Sequence, residues 1–203
     1  SVSEHIFNKN LLAICVIVYF DELPNTLMTM RQFWRHSILS GLLVRELQQT
    51  TAMTSAESLF VAGLLHDIGS LVLFNQLPEI SRAVLEREQR EDVPAFRIEQ
   101  EMLGFDHAAV SGELIRHWGL PVFLADVCRA HHQSEKSSKF ASETQLLHLA
   151  DEIAYRLGGT AWSAGDVAAE FSANAAGISE ADVSMAIEQA MERLESVLAN
   201  FHA

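Results

Sequence analysis

The sequence predicts an all-helical domain, and three observations carry that prediction. Apolar residues recur at three- and four-residue intervals along most of the chain. Proline, glycine and capping residues fall at the edges of those periodic stretches. No pair of segments alternates apolar and polar residues as paired strands do, and no internal repeat is visible.

In chain order, the first apolar stretch is Leu11–Phe20. It is well short of the roughly 20 residues a helix needs to cross a bilayer. The Tyr19-Phe20-Asp21-Glu22 sequence offers no small-residue cleavage site either. It reads as a buried core element whose β-branched content leaves helix and strand both open. Asn25 or Thr26 can cap a helix that carries Leu27, Met30, Trp34, Ile38, Gly41 and Leu42. Thr54-Ser55-Ala56-Glu57 forms a capping box ahead of an apolar run, predicting a helix to about Asp67 that ends near Gly69.

Pro78 suits the first turn of the next helix, through about Glu88. Pro94 opens a shorter one that Gly104 closes. Asp106 caps a helix reaching Trp118, with Gly119 as its stop. Pro121 starts another that ends near His131-His132, and the polar stretch Gln133–Lys139 reads as a loop. A helix from about Glu143 to Leu157 stops at Gly158-Gly159. Ser179 caps a final amphipathic helix, Glu180–Phe201, with Met185, Ile187, Met191, Leu194 and Leu198 among its apolar positions.

Composition narrows the function. A chain of 203 residues can bury roughly 70% of its unfolded surface without disulfides. Cys15 and Cys128 stand alone, as suits the reducing cytoplasm. A formal charge of −13 argues against nucleic acid as a partner, which calls for clustered Lys and Arg, and against anionic membranes.

The chemistry is carried by an ordered set: His36, His66-Asp67, His107, His131-His132 and Asp151. Each falls in a predicted helix or at a helix end. Imidazoles and carboxylates suit iron, manganese, zinc or nickel without thiolate softness. Four or more such groups converging would hold one or two divalent cations. A cation there acidifies bound water and neutralises charge on a phosphoryl oxygen. Taken singly, each has an ordinary alternative. Asp67 can be a helix-terminal residue, His107 an exposed first-turn residue, Asp151 an arginine partner and His131-His132 frayed loop residues. His5, His117 and His202 read as surface or hydrogen-bonded residues. Cys128 reads as a small core residue, and His148 as a neighbour of Asp151 rather than a ligand.

Leu64-Leu65-His66-Asp67-Ile68-Gly69, preceded by Ala62-Gly63, resembles the central signature of the HD metal-phosphohydrolase superfamily. Phe33-Trp34-Arg35-His36-Ser37, Gly104-Phe105-Asp106-His107, His117-Trp118-Gly119-Leu120-Pro121, His131-His132 and Leu149-Ala150-Asp151 sharpen the likeness. Together they resemble its HDOD (HD-related output domain) branch, found mostly in bacterial signalling proteins, from about Phe33 to Asp151. The resemblance implies an all-α, HD-domain-like helical bundle with extra flanking helices, and a helical Leu11–Phe20. On that basis residues 1–25 are the end of an N-terminal helical region preceded by more chain, 26–160 the core, and 161–203 flanking helices packed on the same domain.

The resemblance also implies that His36, His66, Asp67, His107, His131, His132 and Asp151 are metal ligands, with Asp67 bridging two ions. The implied function is a metal-binding, cytoplasmic output domain acting on protein partners. The alternative is a metal-dependent phosphohydrolase acting on a nucleotide or other phosphate ester, with Asp67 and His36 as its catalytic residues. A third reading is an inherited site whose histidines bond to one another and to water. Three departures from the related HD-GYP phosphodiesterases weigh against cyclic di-GMP hydrolysis: Gln32 where some carry a glutamate ligand, Ser70 where a phosphate-holding lysine often stands, and Gln133-Ser134-Glu135-Lys136-Ser137 in place of a Gly-Tyr-Pro loop.

Overall fold

Thr29 and Gln32 cap each other's backbone at the start of the first described helix. Thr29 Oγ1 accepts the Gln32 N–H at 3.2 Å, and Gln32 Oε1 accepts the Thr29 N–H at 2.8 Å. This computed structural model describes residues 28–51, 56–133, 139–158 and 178–200. The helix α1 spans Met30–Gln49, so its cap is Thr29 rather than Asn25 or Thr26. Those two residues lie outside the described part, as do Leu11–Phe20, Thr54-Ser55, residues 134–138 and residues 159–177.

The helix expected to run to about Asp67 stops at Leu65, and a further helix that was not expected follows it. α2 spans Ala56–Leu65 and α3 spans Ile68–Gln76, separated by a turn at His66-Asp67. Gly69 is therefore not a stop but the second residue of α3. Its role is close approach: a Cβ there would lie 2.2 Å from the His107 carbonyl oxygen. Its N–H donates to Ser111 Oγ at 2.9 Å.

The remaining helices follow the local signals closely. α4 is Pro78–Glu91, three residues longer than expected, and ends at Asp92 in the left-handed region (φ 53°). α5 is Ala95–Leu103, closed by Gly104 at φ 80°. α6 is His107–His117, with Asp106 Oδ1 accepting the Ala109 N–H at 2.9 Å. α7 is Val122–Ala130, α8 is Ala141–Gly158 and α9 is Glu180–Asn200. Ser179 Oγ accepts the Asp182 N–H at 3.2 Å, capping α9.

α1 is the hub, packed on α2, α8 and α9, while α6 packs between α3 and α7. One core joins Ile38, Leu42 and Leu47 of α1 to Leu59, Leu71, Ile115, Leu147 and Ile153. Val183, Ile187 and Leu194 of α9 belong to it as well. Each such side chain contributes about 1.5–3 kcal/mol by leaving water. Across the α1–α9 seam the buried Glu46 carboxylate meets Arg193 at 2.9 Å. Glu57–Gln76 matches a bilayer span in length and apolar content, but the His66-Asp67 turn divides it, and Leu59, Leu65, Ile68 and Leu71 face the core.

Candidate metal centre

Three tight helix crossings bring the polar side chains together. At Gly63 a Cβ would sit 2.5 Å from Gly41 Cα, so α2 lies directly against α1. That contact sets the His36 and His66 rings 5.3 Å apart, centre to centre. The Gly69 contact fixes α3 against the first residue of α6, which is His107. At Gly112 a Cβ would lie 2.6 Å from Arg129 Cβ, so α6 also hugs α7, whose C-terminal end carries His131 and His132. Asp151 enters from α8.

Asp67 is the focus. It occupies the N-cap position of α3, yet its side chain makes no capping hydrogen bond, while the helix dipole still favours its negative charge. Asp67 Oδ2 lies 3.4 Å from His66 Nε2 and 3.6 Å from His36 Nε2. Asp67 Oδ1 lies 3.2 Å from His107 Nε2 and 3.6 Å from His131 Nε2. Asp151 Oδ1 stands between His36 Nε2 at 3.0 Å and His66 Nε2 at 3.3 Å. His132 Nε2 is 2.8 Å from His107 Nε2, and the His132 ring stacks on Phe96 with centroids 4.2 Å apart. All seven residues named from the sequence thus converge. They form two overlapping donor groups sharing Asp67: one with His36, His66 and Asp151, the other with His107, His131 and His132.

Three of the imidazoles are aimed by their outer nitrogens. His66 Nδ1–H donates to the Gly63 carbonyl at 2.7 Å, and His131 Nδ1–H to the Cys128 carbonyl at 2.7 Å. His107 Nδ1–H donates to Glu99 Oε2 at 2.7 Å. Each Nε2 is left as the nitrogen that faces inward, the arrangement that orients histidines on metal ions. Glu99, which also accepts the His107 backbone N–H at 2.8 Å, was not legible in the sequence. It sits on a different helix, eight residues before His107, and no motif marks it.

The electrostatics call for positive charge at the focus. Among the described residues, the ion pairs of Asp67, Asp151 and Glu99 are all with histidines. Burial opposes charge on Asp67 and Asp151, but the surrounding imidazoles outweigh it and hold both carboxyls well below the usual range. Burial likewise opposes charge on His66, yet Asp67 and Asp151 lift its pKa to about 9. Glu99 and Asp67 do the same for His107. By contrast, burial with the charges of His131 and His107 pushes His132 well below its ordinary value. Asp67 Oδ1 and His131 Nε2 are buried with no hydrogen-bond partner. A cluster of converging imidazole and carboxylate donors with orphaned inner atoms fits divalent cations of the iron, manganese, zinc or nickel type.

The neighbouring positions also fall into place. Gln32 is exposed and engaged in the α1 cap, so it is turned to that use rather than to the cluster. Cys128 is fully buried, its thiol facing the Ala62 carbonyl at 3.5 Å and its pKa pushed up by burial. His117 is exposed, while His5 and His202 lie outside the described residues. His148, set aside in the sequence as a neighbour, lies with His132 and Asp151 in a third donor group.

Comparison with known proteins places these features in a family context. The HDOD domain model matches residues 8–134. An uncharacterized protein of Treponema pallidum (strain Nichols) is 26% identical over 104 residues, covering 50% of this chain but 20% of its own length. The chain therefore spans about a fifth of that relative. A crystal structure from Shewanella amazonensis SB2B, of a protein provisionally named a phosphohydrolase, superposes with a TM-score of 0.76 at 18% identity, covering 92% of this chain and 70% of that one. One from Marinobacter aquaeolei VT8, provisionally named a signal transduction protein, gives 0.67 at 20% identity, over 88% of this chain and 39% of that one.

Proposed function

The chain belongs to the HDOD domain family, and from that membership we propose that it is a cytoplasmic signal-transduction output domain built around a divalent-metal centre and acting through protein partners. The observation that carries the metal is Asp67, whose two oxygens face two different sets of histidines. His36, His66 and Asp151 would hold one ion and His107, His131 and His132 a second, with Asp67 shared. Burying several imidazoles with two carboxylates costs several kcal/mol per uncompensated charge, which a cation offsets. What favours regulation over turnover is that Gln32 and Ser70 stand where related phosphodiesterases carry a metal-ligating glutamate and a phosphate-holding lysine. The Marinobacter protein's name supports the same reading.

Hydrolysis of a nucleotide or other phosphate ester is the second reading, favoured by the solvent access of one edge. The His36 and Asp67 side chains are 21% and 19% exposed, whereas His66 and His131 are fully enclosed. A bound cation would supply Lewis acidity to water and to a phosphoryl oxygen. Asp67 would then orient the water and accept its proton, and His36 would hydrogen-bond a phosphoryl oxygen.

The test is a phosphomonoester, phosphodiester and nucleotide panel on the metal-loaded chain beside its His66→Ala and Asp67→Ala variants. No turnover, together with metal-dependent capture of a protein partner, supports the output reading. Turnover abolished by both substitutions in folded protein replaces it with the hydrolase.

A further inference from the structure

We propose that His148 is a metal ligand and that His132, His148 and Asp151 form an additional cation position beside the Asp67 cluster. This rests on the reading of the cluster as a cation site and extends it by a residue outside the seven named from the sequence. Each of the three residues offers one donor atom, and these atoms lie within 4.8 Å of one another. Two imidazoles and a carboxylate make a donor set that leaves further positions on a borderline divalent ion open to water or phosphate oxygen.

The hydrogen-bond accounting points to the same place. His132 Nε2 is engaged with His107 at 2.8 Å. Whichever ring carries the shared proton, His132 Nδ1 is left buried with no hydrogen-bond partner. His148 Nδ1 is buried in the same condition. Two orphaned ring nitrogens in one small region are a substantial cost, since buried polar groups are almost always satisfied. Asp151 has an oxygen to spare as well, because Oδ1 alone meets both His36 and His66.

Position supports the assignment. His148 and Asp151 are three residues apart on α8 and so share a face of that helix. The Phe96 stack fixes the His132 ring plane. His148 belongs to neither of the two donor groups that share Asp67, so its removal leaves those groups complete.

The test is a Co²⁺ titration of chelator-stripped protein, counting bound ions by equilibrium dialysis and following the cobalt absorption bands. Wild type should bind one more ion per chain than His148→Ala, and the lost band should be that of a nitrogen- and oxygen-ligated ion. His148→Gln, which keeps a polar side chain, should behave like His148→Ala, and circular dichroism should show both variants folded. Equal ion counts and spectra in all three proteins would overturn the additional position while leaving the Asp67 centre standing. Loss of every ion in folded His148→Ala would also overturn it, since the position would not be separate. No cobalt uptake by wild type would remove the Asp67 centre, and this position with it.

Discussion

Asp67 Oδ1 faces His107 and His131, Oδ2 faces His36 and His66, and the two sides are built to different plans. On the Oδ1 side the histidines are enclosed, 8% and 0% exposed. Both are held from behind, His107 by the Glu99 carboxylate and His131 by the Cys128 carbonyl. On the Oδ2 side His66 is held by the Gly63 carbonyl, but His36 is 21% exposed and only its contacts inside the cluster fix it. The contrast teaches a division of labour. The enclosed side suits retention of an ion, and the open side suits exchange of water or a small ligand.

Each side hangs on one glycine, and substituting it should give the largest effect. A Cβ at Gly69 would strike the His107 carbonyl at 2.2 Å, and one at Gly63 would strike Gly41 Cα at 2.5 Å. Backbone cannot retreat as a flexible side chain can. Gly69→Ala and Gly63→Ala should therefore each lose about 3 kcal/mol in urea unfolding, near the upper end of overpacking costs. A loss under about 1 kcal/mol at either would mean the crossings are looser than described.

The next effect separates the two sides. Glu99→Gln keeps the shape but weakens the hold on His107, so metal affinity should fall about 10- to 100-fold. Circular dichroism should be unchanged. If affinity is unchanged, the enclosed side does not depend on its clamp.

Proton competition is the third. In the metal-free chain burial resists charge on His66, but Asp67 and Asp151 win and raise its pKa to about 9. A raised value means the protonated ring stabilises the fold fully below the ordinary 6.5, and that this is lost as pH climbs through about 9. The stripped protein should lose thermal stability across that window while the loaded protein does not. Apparent affinity should rise about tenfold per pH unit for each proton displaced, and His66 and His107 each carry one. Calorimetric titration at several pH values measures it, and a flat profile would show that neither ring carries a proton to displace.

The smallest effect is the control. Arg193 is half exposed where it meets Glu46 on the far seam. Arg193→Ala should cost less than about 1 kcal/mol and leave metal affinity untouched. A drop in affinity would show that the α1–α9 seam and the centre are coupled.

Most of the fold was legible because its punctuation is local. Pro78, Gly104, Asp106 and Ser179 each act within one helical turn, and the helix ends they mark lie within a few residues of expectation. Thr29 was missed although Thr29-x-x-Gln32 is a capping pattern visible in the sequence. The helix end near His66-Asp67 was expected, but α3, which begins at Ile68, was missed for a different reason. Gly69 looks like a helix stop, and only the contact with His107, distant in sequence, explains a glycine inside α3. The seven cluster residues were named through the ordered family pattern, since any one of them alone has an ordinary reading. Glu99 carries no local mark, and its role emerges only when α5 packs beside the start of α6. His148 was within view, three residues from Asp151, but helical spacing alone does not show what lies opposite.

The central claim is that Asp67 joins two sets of donors around divalent cations. Elemental analysis of protein purified without added metal, beside folded Asp67→Ala, tests it most directly. The account predicts near-stoichiometric iron, manganese, zinc or nickel in wild type and a marked loss in the variant, because removing one carboxylate takes a donor from both groups at once. Wild type that holds no metal even after reconstitution with those ions, or a folded variant that holds as much as wild type, would contradict it.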